Sequence, residues 1–318
     1  MAKTMFIKPI GILVCMVILS INAQAAPETS KLRIAAVPIA GFTPIYAADK
    51  LGYFKEEGLE VTIDKAAGGA QTLPLLVQGT LQLAVTPVVS VALANQQGFN
   101  LRILPPALDE KRTSPGQTAQ IVLASSSINT PADLKGKRVA VNTINSVNWL
   151  YDRAFVRGKG GIDPAQVQYT EVPFPSMVDT LLRGFVDAIN VPQPFHHIAV
   201  ATGKVRVLGY PFVETQPGLH IAPYAGTAAW LDANPNTVKA FVNAMSKAVV
   251  YMRGNPKEAK RLITEFTGAK PEMVEAVPMD DWSMTLSADD VEKTLQLMKR
   301  EGVLKKDLKA EEMIHRVR

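Results

Sequence analysis

Short apolar runs alternate along this chain with amphipathic stretches closed by Gly or Pro, and that rhythm predicts a series of strand, helix, strand units. Residues 32–37 form an apolar run broken by one Arg, the pattern of a strand buried on both faces. Thr43 then offers an N-cap, and Pro44 suits the first helical position, where a missing amide proton costs nothing. Gly52 ends that helix, and Leu59, Val61 and Ile63 alternate as the next strand. The plan returns from Gly68: a Gly68-Gly69-Ala70 turn, a helix over 71–78, a stop at Gly79, a strand over 81–85 and a helix opened by Thr86-Pro87.

A further strand is expected at 101–104, and the charged, Gly-, Ser- and Pro-bearing stretch 109–118 predicts a surface loop. Strands at 121–124, 138–141, 168–172, 187–191 and 205–208 follow, with helices over 149–157 and from Ser176 to Gly184 between them. The segments 75–87 (LLVQGTLQLAVTP) and 181–194 (LLRGFVDAINVPQP) match in plan: a leucine pair, a glycine turn, a strand and a proline loop. Two lobes built as variants of one design are therefore expected. Beyond residue 209 the pattern turns helical after one more candidate strand at 221–229, with Asn234-Pro235 and Asn255-Pro256 opening long helices. The fold class predicted is α/β, with a parallel-rich sheet in each of two lobes and a ligand cleft between them. The expected division is 1–25 as a signal peptide, 26–122 with 213–318 as lobe I, and 123–212 as lobe II.

The leader changes the picture of where the chain works. Lys3 and Lys8 precede an apolar run over 10–21, and Ala23-Gln24-Ala25 forms a small-x-small cleavage pattern before Ala26. The run is too short for the roughly 20 residues of a spanning helix. Export to the periplasm with cleavage near Ala25/Ala26 is the expectation. Cys15, the only cysteine, leaves with the leader, so no disulfide or cysteine metal site is expected in the mature chain. Cleavage also removes two lysines and no acids, lowering the formal charge from +5 to +3. That mild surplus, without a basic stripe interleaved with aromatics, argues against a nucleic-acid partner.

Catalytic signals are absent from the sequence: no phosphate-binding G-x-x-x-x-G-K, no G-x-S-x-G elbow and no H-E-x-x-H helix occurs. His196 and His197 are adjacent and point to different faces of a helix, so a solvated or capping pair is expected rather than a metal site. Asp280-Asp281 and Asp289-Asp290 are expected as helix-start acids. No cofactor and no metal are called for. Aromatic residues in loops suit a binding cleft, and Phe42, Trp149, Phe174, Phe195, Tyr224 and Trp282 are the candidates, each also at home in a core.

The opening unit (GFTPIYAADKLGYFKEEGLEV), GGAQTLPLLVQGTLQLA, DLKGKRVAV, VDAINVPQPF and WLDANPNTVKAFVNA together resemble, in the same order, the solute-binding proteins of ABC importers in the nitrate, sulfonate, taurine and thiamine-precursor family. The resemblance implies a type II periplasmic binding fold, a hinged cleft, no catalysis, and a membrane permease with its ATPase as partners of a monomer. It implies a cleft lined by Gly41 and Phe42, Gly69 and Gln71, Thr86 and Pro87, Asn145 and Ser146, and Gln193 and Phe195. None of these five loops carries Lys or Arg, so the expected ligand is a small, flat, neutral or weakly anionic organic molecule held between the Phe42 and Phe195 loops. Its acceptors would meet amides at the Thr43 and Thr86 helix starts, and Arg153 or Arg183 could reach in from a helix. Two other readings stay open: a sensor component for a chemoreceptor or kinase, and a thiamine-pyrimidine-synthase-like enzyme.

Overall fold

The computed structural model describes residue 1 and residues 26–66, 68–275 and 277–317. The expected signal peptide and Cys15 lie, Met1 apart, outside the described residues.

Eleven strands are described, and they form two mixed sheets. They are β1 (Lys31–Ala36), β2 (Glu60–Lys65), β3 (Leu83–Val85), β4 (Leu101–Asp109), β5 (Thr118–Leu123), β6 (Arg138–Val141), β7 (Gln168–Glu171), β8 (Ala188–Pro192), β9 (Val205–Gly209), β10 (His220–Thr227) and β11 (Asp281–Ser283). The first sheet runs β11-β4-β10-β3-β1-β2 and the second β7-β6-β8-β5-β9. Each contains a parallel trio, β2-β1-β3 in one and β7-β6-β8 in the other. Each trio is extended by an antiparallel strand, β10 beside β3 and β5 beside β8. Most strands of each sheet run the same way, as expected of parallel-rich sheets, and the strand that follows each crossing between lobes enters its sheet antiparallel.

The sequence likeness of 75–87 and 181–194 has its counterpart here: β3 and β8 hold equivalent places in the two sheets. Residues 118–122, assigned from sequence to lobe I, lie in β5, which pairs with β8 and β9. A boundary at 122/123 would cut that strand. The first crossing is the segment between β4 and β5, and the second is the segment between β9 and β10.

Around the first sheet the long helix Pro235–Gly254 buries Val238, Phe241, Met245, Val249 and Met252, a spacing of three and four that places one stripe toward the core. Phe241 packs edge-on to Tyr224 of β10, ring centroids 5.0 Å apart. Tyr224 is a core residue.

The loop after β1 is clamped from beneath. Residues 40–42 form a short 3-10 turn, so the helix Thr43–Lys50 takes Phe42, not Thr43, as its N-cap. The Thr43 hydroxyl is buried without a hydrogen-bond partner. Trp282 of β11, a candidate cleft aromatic, instead donates its Nε1–H to the Gly41 carbonyl at 2.7 Å and is buried. A Cβ on Gly41 would lie 2.4 Å from a Leu108 methyl, so the turn sits directly on β4. Trp282→Phe leaves the Gly41 carbonyl buried and unpaired, and chemical denaturation should show a loss of about 1–3 kcal/mol.

Candidate ligand cleft

In open α/β sheets ligands meet the carboxyl ends of the strands. The two parallel trios point such ends at one another, and a cavity of about 60 Å³ lies between them. A single water needs roughly 10–15 Å³, so the space suits a small molecule rather than a peptide.

The lobe I wall comprises Val37, Ile39 and Phe42 after β1, Gly68 after β2, and Val85, Pro87 and Ser90 at β3 and its helix. Leu108, Ile221 and Ala222 close its floor. The lobe II wall comprises Asn142, Ser146 and Asn148 after β6, Phe174 after β7 and Pro192 at the end of β8. Gln117 enters from the first crossing, Thr118 from the start of β5 and Phe212 from the second crossing. The lobes approach closely where a Cβ on Gly68 would stand 3.6 Å from Asn142 Nδ2. No Asp, Glu, Lys, Arg or His is among the described lining residues.

Of the residues expected from sequence, Phe42, Pro87 and Ser146 line this cavity. Gly41 lies beneath it, and Thr86 is buried behind the wall with its hydroxyl 3.4 Å from that of Thr72. Gln71 and Asn145 are exposed, Asn145 holding the left-handed turn (φ 63°) that swings Ser146 inward. Gly69 begins the helix Gly69–Val77, and its neighbour Gly68 is the lining glycine. Gln193 is buried with its amide N–H on the Gln117 carbonyl, 3.0 Å. Phe195 stacks on Phe174 at 6.1 Å, bracing the aromatic wall from behind.

The amides expected to meet the ligand are already used: that of Thr43 donates to the Ala40 carbonyl and that of Thr86 to Pro223. Neither arginine reaches the cleft. Arg153 lies over Trp149 and 3.8 Å from Glu301, and Arg183 pairs with Asp179 on the surface. Trp149 packs edge-on to Tyr169 and does not line the cavity.

The lining residues missed from sequence are mostly apolar, with Ser90, Gln117, Thr118, Asn142, Thr143 and Asn148 as the neutral hydrogen-bonding groups among them. Ser146 caps the helix Val147–Gly160 by accepting from the Trp149 amide, 3.2 Å, and donates to Asn142 Oδ1 at 3.0 Å. Asn142 is thereby left offering its NH₂ group. Asn148 Nδ2 donates to the buried Asn190 Oδ1 at 2.7 Å. The only sequence signal for Asn142 and Asn148 was the polar run 142–148 after a strand.

A model of the family described as "NMT1/THI5 like" matches residues 39–259, and the chain belongs to that family. A curated relative, the 4-amino-5-hydroxymethyl-2-methylpyrimidine phosphate synthase of Legionella pneumophila, is 25% identical over 240 residues, 73% of this chain and 70% of the relative. The formylaminopyrimidine-binding protein of Halalkalibacterium halodurans is 26% identical, covering 82% of this chain and 78% of its own. Among solved structures, the alkanesulfonate-binding protein of Xanthomonas axonopodis pv. citri bound to MOPS superposes with a TM-score of 0.77 at 18% identity, over 91% of this chain and 99% of that one. The chain has the two-lobed periplasmic binding protein fold seen in such solved structures.

The stretch 109–118 is not a surface loop throughout. Its tip is exposed, but Glu110, Gln117 and Thr118 are buried, and Glu110 is held against the second crossing by its amide on the Leu219 carbonyl, 2.8 Å. Glu110 Oε1 accepts from the amides of Lys111 (2.7 Å) and Gln117 (2.9 Å), while Oε2 is buried without a partner. Burial pushes its carboxyl up to about 7 against those bonds. Asp280, expected at a helix start, is instead buried nearby, and burial with the repulsion of Glu110 pushes it up to about 7 as well. His196 is likewise not solvated: it is buried with its ring 3.9 Å from that of His197, and burial first, then His197, lowers it to about 3. Among the described residues no three His, Cys, Asp or Glu side chains gather as a metal-binding group. Because the folded carboxyls of Glu110 and Asp280 lie above their ordinary values of 4.5 and 3.8, their contribution to stability is fullest below pH 4 and is lost as pH rises to about 7. Glu110→Gln should flatten the fall in melting temperature between pH 5 and 7.5 and raise it at pH 8, as read by calorimetry.

Proposed function

We propose that this member of the NMT1/THI5-like family is an extracytoplasmic solute-binding protein that clasps a small, flat, neutral or weakly anionic organic molecule between its lobes. The observation that carries the reading is the interlobe cavity itself, walled by Phe42 and Phe174 and offering amides and hydroxyls with no charged side chain. Flat apolar walls favour a ring, and a few convergent polar groups fix its orientation. The names of two relatives point to pyrimidines, which fit this description, so an aminopyrimidine-like heterocycle is the ligand class put forward.

Delivery to a membrane permease and its ATPase follows from the same reading. The leader, with Lys3, Lys8, the apolar run and Ala23-Gln24-Ala25, supports export and cleavage near Ala25/Ala26. Among the described residues no helix is long and apolar enough to cross a membrane.

The relative named as a phosphate synthase supplies a second reading, in which the cleft performs chemistry. A phosphorylated species is best held by cations or by several free amides. The uncharged lining favours binding without turnover, and recovery of unchanged heterocycle after prolonged incubation with the protein distinguishes the two.

A ligand that binds only the folded state raises its stability, by about 2.7 kcal/mol at a hundred times Kd. In a thermal-shift screen, amino-substituted pyrimidines and related heterocycles should raise the melting temperature, while nitrate and bicarbonate should not; stabilisation by nitrate alone would overturn the reading. Phe174→Ala should weaken heterocycle binding about tenfold or more by removing the ring face. Phe195→Ala, acting only through Phe174, should cost less.

A further inference from the structure

Behind the lobe II wall the polar side chains form a chain with a direction. At its deep end the Tyr169 hydroxyl donates to Asp152 Oδ2 at 2.8 Å. Asn190 Nδ2 donates to Asp152 Oδ1 at 3.2 Å and to Gln120 Oε1 at 3.3 Å. Asn190 Oδ1 in turn accepts from Asn148 Nδ2 at 2.7 Å. Asp152, Gln120 and Asn190 are completely buried, and Asn148 nearly so.

An ionised carboxylate can only accept, whereas an amide side chain has a donating and an accepting end. With Asp152 at the root, Asn190 must turn its NH₂ group inward, which leaves its oxygen toward the cleft. Asn148 must then turn its own NH₂ group back to meet that oxygen. What faces the cavity is Asn148 Oδ1, an acceptor with no hydrogen bond of its own among the described residues. The reversed order, with Asn148 Nδ2 in the cavity, would set the Asn190 oxygen against a carboxylate. In a buried network such a mismatch is costly, because a group left unpaired loses its hydration without compensation.

Building on the ligand-binding reading above, we propose that Asp152 acts through Asn190 as a positioning residue that fixes Asn148 as a hydrogen-bond acceptor, so that the protein selects ligands presenting an N–H donor at that wall. Selection arises from a residue one relay removed from the ligand. A ligand with a methyl group at that point leaves Asn148 Oδ1 desolvated and unpaired.

The relay is tested in two arms. The first needs no ligand. In ¹⁵N-labelled protein the Asn148 side-chain NH₂ signal, identified by its absence in Asn148→Ala, should contain a proton that exchanges slowly with solvent because it is buried against Asn190. Asp152→Asn, nearly isosteric but able to donate, should speed that exchange. Fast exchange of both protons in the unmodified protein places Nδ2 in the cavity and overturns the proposal. The second arm compares 4-amino-2-methylpyrimidine with 2,4-dimethylpyrimidine by thermal shift and calorimetry. The amino compound should bind roughly ten- to a hundredfold more tightly, and the ratio should fall toward one in Asp152→Asn while Phe174→Ala weakens both compounds and leaves it unchanged. Equal binding of the two by the unmodified protein, or an unchanged ratio in Asp152→Asn, overturns the relay. If neither compound binds, the heterocycle reading of the preceding section fails, and the exchange arm still decides the relay.

Discussion

The two crossings between lobes are tied to each other, and the cleft depends on that tie. Glu110 donates its amide to Leu219, and Gly218 donates to Lys111 at 3.2 Å, so the segments run as a short hydrogen-bonded ribbon. Gly218, at φ 76°, makes the turn that lets them meet. A single tether would let the lobes swivel, whereas a paired one restricts them to opening and closing about one line. The carboxylate of Glu110 seals this ribbon from within at a cost in burial. Gln117 and Thr118, a few residues on, pass directly into the cavity wall.

A second set of contacts joins lobe II and the second crossing to the helix Ala288–Arg300. The buried Tyr151 hydroxyl of lobe II donates to Gln216 Oε1 at 2.8 Å and lies 3.1 Å from the Thr294 hydroxyl, on the helix Ala288–Arg300. Gln216 sits in the second crossing and donates to the Asp290 carbonyl of the same helix at 3.0 Å. Glu301, just past that helix, is buried against Arg157 at 3.0 Å, with Arg153 at 3.8 Å. An ion pair with its carboxylate out of water is strongly destabilised by loss of one partner, more than it stabilises as a pair. These contacts therefore fix the angle between the lobes rather than add much to their stability.

How far the sequence disclosed the site varied with the level asked. Glycine and proline punctuation marked the loops after β1, β2, β3 and β8, because those residues answer to local backbone geometry, while the loop after β6 showed only as the polar run 142–148. Which side chain of a loop turns inward did not follow. Asn145 and Ser146 were equal candidates until the left-handed turn at Asn145 put one outside and the other on the wall. The 3-10 turn at 40–42 moved the helix start by one residue, enough to take Thr43 out of the capping position. The crossing segment 109–118 has the composition of an exposed loop, yet its two ends are buried, and only the long-range pairing of Glu110 with Leu219 reveals that. Asn190 and Asp152 lie in a strand and a helix without any local mark, so their link to Asn148 was invisible before the fold was assembled.

The order of strands has a consequence for how the chain comes together. The second sheet draws all its strands from one unbroken stretch, β5 to β9, whereas β10 stands in the middle of the first sheet, between β3 and β4. Until that late strand arrives, the trio β2-β1-β3 and the strand β4 share no sheet hydrogen bonds. Lobe II can thus reach its final topology while the sheet of lobe I is still in two parts. The half of the molecule that begins first is finished last, and during that interval its apolar strand edges stand open to aggregation.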